Sequence, residues 1–261
     1  MSGETPAGGA EPEQEQSFLS HLIELRQRLV RAAIAIVVIF LALSPFMRDI
    51  FTILSAPLMS VLPEGTKLIA TGVITPFMVP LKLTLFVAFL IALPYVLYQA
   101  WAFIAPGLYL HEKRLAGPII ASSVAMFALG MSYCYYVVFG LVFRFIANFA
   151  PSSVNVAPDI DAYFSFVLGL FLAFGLTFEV PIVVVLLARF GIADVQRLKA
   201  ARPYVIVGAF IVAAVFTPPD VISQLLLAVP LCLLYEVGIQ LARFVGKRTA
   251  PEAAGSATGG S

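Results

Sequence analysis

Apolar runs long enough to cross a lipid bilayer constrain this chain more than any other feature. A hydrocarbon core about 30 Å thick needs about 20 consecutive apolar residues in a helix. Runs of that order occupy residues 30–46, 81–104, 116–145 and 162–187, and a last apolar block covers 203–234. The apolar residues are continuous rather than alternating, so the expected unit is a helix that satisfies its own backbone in lipid. Of the 261 residues, 61% are hydrophobic and 12% charged. Soluble domains run at about 45–50% and about 25%. A water-soluble fold of this size has nowhere to hide so much apolar surface. The expected class is an all-α integral membrane protein.

The last block is interrupted by "TPPD" at 217–220. Adjacent prolines cannot continue a helix, so the block reads as two helices, 203–216 and 221–234, joined by a tight turn. Each is about 21 Å long at ~1.5 Å per residue, short for a bilayer. A re-entrant hairpin is the alternative, and it leaves the chain ends on the same face. Six spans are expected, with both termini cytoplasmic. In that orientation the inner segments hold Arg26, Arg28, Arg31, Lys113, Arg114, Arg189, Arg197, Lys199, Arg202, Arg243, Lys247 and Arg248, and the outer ones only Arg48, Lys67, Lys82 and Arg144. The excess of inner cations sets the direction.

Residues 1–17 are polar and acidic and lack the apolar core of a signal peptide, so the first run is expected to remain as an anchor. Residues 1–17 and 248–261 are expected to be disordered cytoplasmic tails around a membrane domain at 18–247. Residues 47–80 form the longest outer connection. Their amphipathic segment "RDIFTILSAPLMSVL" and four prolines suggest a cap on the outer surface. Cys134 and Cys232 sit in separate apolar runs without ligand spacing, so no metal or other cofactor is expected. The cations form no dense patch, which argues against nucleic acid.

Three carboxylates carry the chemistry. Glu24 precedes the first span in "HLIELRQRL", and Glu112 lies in the next inner segment, "GLYLHEKRL". Local pairing, Glu24 with Arg28 and Glu112 with Lys113 or Arg114, is the bland account and contributes only about 0.2–0.5 kcal/mol per pair. The functional account is a receptor for guanidinium groups, each held in bidentate geometry. Glu179 stands inside the fourth span, about 15 Å from Arg189 at ~1.5 Å per residue. A charged, unpaired carboxylate at that depth costs at least about 2.5–3.5 kcal/mol, so it is expected in a polar pocket or as a protonated structural group.

These segments resemble the TatC family, the multispanning core subunit of the twin-arginine, Sec-independent protein translocase. The resemblance rests on "SHLIELRQRL", "SAPL", "YQAWAFIAPGLYLHEKR", "FGLTFEVP", "RPYVIVGAF" and "TPPDVISQ", in order, over residues 18–247. The basic pair in "HEKR" departs from the two arginines common there. The resemblance implies six helices in a cupped, concave arrangement in the bacterial inner membrane. It implies a receptor, not an enzyme, that binds twin-arginine signal peptides of folded cargo. Glu24 and Glu112 would take the two arginines, Arg26 and Phe103 would shape the site, and Glu179 would be a polar contact on the concave membrane face. Implied partners are single-span subunits with amphipathic helices and further copies of the chain, with transport driven by the proton-motive force.

Two other classes compete. A proton-coupled small-molecule transporter using Glu179 is the alternative, although no inverted repeat is visible. An intramembrane hydrolase lacks G-x-S-x-G and H-E-x-x-H, and the two histidines, His21 and His111, fall near the inner face.

Overall fold

The computed structural model describes residues 11–59, 68–104, 113–143, 159–216 and 221–245. Among them the regular structure is helical, apart from an isolated bridge between Ile69 and Asp159. Helix α1 (Glu11–Leu43) passes through a 3-10 turn into α2 (Met47–Met59), and α3 covers Thr75–Ile104. Helix α4 (Lys113–Tyr133) continues through a π turn at Cys134–Val138. Then come α5 (Ile160–Phe178), α6 (Val180–Arg189), α7 (Val195–Ala200), α8 (Arg202–Phe216) and α9 (Val221–Val245). Among the described residues, five stretches are long and apolar enough to cross a membrane: Leu22–Ala56, Thr75–Ile104, Ala116–Phe143, Ile160–Arg189 and Gln224–Phe244.

The expectation of two short final helices fails for the second. Helix α8 has 15 residues, but α9 has 25 and runs through Pro230 to Val245. The apolar block ends at 234, ahead of Glu236, Gln240 and Arg243. Glu236 instead accepts from Arg202 Nη2 at 2.6 Å, tying α9 to the start of α8, and the helix continues past it. Helix α1 begins at Glu11, inside the segment expected as a disordered tail. Residues 1–10, 60–67 of the expected cap, and 246–261 lie outside the described residues.

The chain divides into two compact units, Met1–Pro57 with Gly72–Val124, and Leu58–Thr71 with Ala125–Ser261. In the first, α1 packs along α3. Val79, Leu83, Ala88, Leu97 and Trp101 are buried there, and Trp101 Nε1 donates to Ser123 Oγ at 2.9 Å. That bond satisfies an indole N–H which lipid could not. In the second, α9 packs on α6, α7 and α8, around Val184, Leu198, Tyr235, Ile239 and Ala242. Exposed aliphatic side chains such as Val38, Leu41, Ile211 and Leu233 need no burial where the solvent is hydrocarbon.

The second unit closes tightly where α4 meets α5. A Cβ on Gly130 would lie 2.5 Å from the Phe174 carbonyl oxygen, and one on Gly175 would overlap the Phe127 ring. Gly130→Ala and Gly175→Ala are each expected to cost about 1–3 kcal/mol by overpacking. In detergent that lowers the melting temperature by about 2–4 °C per kcal/mol. Gly169→Ala, with open space at its Cβ, serves as the control that stays at the wild-type temperature.

A carboxylate fastens the connection before α5. Asp159 Oδ2 accepts from Thr71 Oγ1 at 2.6 Å and Thr71 N at 3.0 Å, while Oδ1 caps α5 through Asp161 N and Ala162 N. The Thr71 hydroxyl above all, then the backbone donors, lowers the Asp159 pKa to about 2 from the usual 3.8. A lowered carboxylate stabilises the fold above its unfolded pKa, and that contribution disappears as pH falls from about 4 to about 2. The melting temperature of the wild type minus that of Asp159→Asn is therefore expected to shrink across that window. A constant difference there would exclude the clip as a titrating contact.

Candidate functional site

In the first unit the N-terminal half of α1 meets the C-terminal half of α3. Arg28 holds Glu24 through Nε at 2.9 Å and Nη2 at 2.6 Å, both on Oε1. Arg28 Nη1 reaches Gln99 Oε1 on α3 at 3.4 Å. Gln99 is 5% exposed, whereas the Glu24 side chain is 39% exposed. The cluster thus has a buried amide at its back and a reachable carboxylate at its front. Oε2 of Glu24 takes no hydrogen bond among the described residues.

The Glu24–Arg28 pair is weak, at roughly 0.3–0.5 kcal/mol for a partly exposed i,i+4 pair. An incoming guanidinium can therefore exchange with Arg28 at little cost, and Gln99 gives the displaced Arg28 a second acceptor. The i,i+4 spacing announced Glu24–Arg28, but not Gln99, which lies 71 positions away. Its sequence signal is an amide inside an otherwise apolar helix.

The other expected residues are not all brought together. Phe103 is half-buried on α3, one helical turn beyond Gln99 and on the same face. Arg26 is exposed, and two positions from Glu24 puts it on a different face of α1. Glu112 lies outside the described residues.

In the second unit Glu179 joins α5 to α6. Pro181 has no N–H, so the helical ladder breaks one turn earlier. The Glu179 N–H turns back to the Leu176 and Thr177 carbonyls. Glu179 and Thr177 are both buried, at 6% and 3% exposure. Burial, not lipid exposure, is the observed environment of this carboxylate.

A family model described as Sec-independent protein translocase protein (TatC) matches residues 20–230. The chain belongs to the TatC family. It is 52% identical over 236 residues to the Sec-independent protein translocase protein TatC of Escherichia coli K12, covering 90% of this chain and 92% of that one. The namesake from Haemophilus influenzae is 51% identical over 232 residues, covering 89% and 91%. A crystal structure titled Twin Arginine Translocase Receptor- TatC superposes with a TM-score of 0.75 at 39% identity, covering 86% of this chain and 99% of that one. TatC proteins are protein translocase components and not enzymes. Membership in this family leaves the small-molecule transporter reading without support.

Proposed function

We propose that this chain is the receptor subunit of a twin-arginine translocase in the bacterial inner membrane, and that it binds the arginine pair of signal peptides on folded cargo. The observation that carries this reading is the half-exposed Glu24 carboxylate, held by a weak, exchangeable arginine pair, on a chain so similar to a solved twin-arginine translocase receptor. One substrate guanidinium takes Glu24 in place of Arg28, and Glu112 takes the other. Phe103 and Arg26 shape the approach. Glu179 offers a polar contact within the membrane.

Six helices cross the bilayer in this reading, in a cupped arrangement with both termini in the cytoplasm. Helix α8, too short to match a bilayer unaided, thins it locally. A chain of this size cannot enclose a pore for folded cargo. Single-span subunits with amphipathic helices and further copies of the chain complete the translocase, and the proton-motive force drives it.

The test is binding of a twin-arginine peptide to the purified chain in nanodiscs, against the same peptide with two lysines. Lysine offers a point charge without the planar fork, so the arginine peptide is expected to bind at least about tenfold more tightly. Equal affinity would remove guanidinium recognition from this chain.

A further inference from the structure

A cavity of about 800 Å³ opens in the second unit, away from Glu24 and Glu179 in the chain. The turn after α6, the start of α7 and the last turns of α9 line it. Its charged walls are Arg189, Arg243 and Asp194, and its aromatic walls are Phe190 and Phe244. Gly191, at φ +67, makes the turn between Arg189 and Asp194. A positive φ of that kind closes helix ends and would strain other residues.

We propose that this cavity binds the phosphate headgroup of an anionic phospholipid. The first reason is charge. The Arg243 guanidinium donates to Gln240 Oε1 at 3.0 Å and forms no ion pair among the described residues. Glu236, the nearby carboxylate on α9, is engaged by Arg202. Arg189 adds a second cation, and Asp194 is the one acidic side chain among the described residues of the lining. Asp194 is already committed in part, since its Oδ1 accepts from Val195 N at 2.7 Å. The described lining thus carries two arginines and one capping carboxylate, and Arg suits phosphate through its planar fork.

The second reason is position, which selects a lipid over a free anion. The apolar stretch Ile160–Arg189 ends at Arg189, and Gln224–Phe244 ends at Phe244. Both apolar stretches therefore end at this cavity. Phe244 is 81% exposed beside Arg243. A basic pocket between helices, with an aromatic side chain at its mouth, stands at headgroup depth with acyl chains alongside. The cavity volume is in the range of small-ligand sites.

The test uses the full chain purified in a neutral detergent. It is exchanged with phosphatidylglycerol or phosphatidylcholine, and retained lipid is counted by native mass spectrometry. The wild type is expected to retain phosphatidylglycerol in preference. Each of R189Q and R243Q is expected to lower that retention about fivefold, and the pair more, with phosphatidylcholine unchanged. R48Q, a cation on α2, is expected to leave it unchanged. D194N keeps a capping oxygen and removes the opposing charge, so it is expected to raise retention, a gain that misfolding cannot produce. Equal retention of the two lipids, full retention by the double variant, or a D194N variant no better than wild type would each overturn the proposal. Displacement of the lipid by millimolar inorganic phosphate also overturns it, because the cavity is then a soluble-anion site.

Discussion

Glu24→Lys is expected to abolish export of twin-arginine cargo while export of unfolded Sec cargo continues. Glu24→Ala removes an acceptor whose bond to a guanidinium contributes about 1.5–3 kcal/mol, so peptide binding falls about 10- to 100-fold. Lysine adds repulsion to that loss and is the more severe change. The chain itself should remain folded, because the lost Glu24–Arg28 pair contributes well under 1 kcal/mol and Arg28 retains Gln99 as an acceptor. The measurement is export of a reporter with each type of signal, with peptide affinity in nanodiscs beside it. Normal export by a Glu24→Ala, Glu112→Ala double variant would remove both residues from the receptor site.

The second large effect is expected at Glu179. Gln keeps the shape and hydrogen-bonding capacity and discards the ionisable proton, so Glu179→Gln is expected to retain most export. Ala removes the polar group from a buried position, leaves whatever it contacts unsatisfied at about 1–3 kcal/mol, and weakens assembly with the partner helices. Export rate and co-purification of the proposed single-span subunits read the two effects separately. If Gln is as damaging as Ala, the proton itself is at work. If Ala is silent in both, Glu179 is structural only.

What the sequence determined by itself is what depends on neighbouring residues and the solvent. A run such as 81–104 declares a membrane helix because each turn must satisfy its own backbone in lipid, whatever surrounds it. The i,i+4 pair of Glu24 with Arg28 was legible for the same local reason, while the "TPPD" turn lies outside the described residues. The tertiary structure decided what rests on residues far apart in the chain. Gln99 as the second acceptor of Arg28, Thr71 on Asp159, and the fit of Gly130 against Phe174 leave no periodic signal. The length of α9 belongs here too. Glu236 read in isolation is a charge that ends an apolar helix, but in the fold it accepts from the Arg202 guanidinium, 34 positions away and 2.6 Å distant, and from Gln240 on its own helix. A charge near lipid is costly or harmless according to its partner, and the partner is chosen by packing.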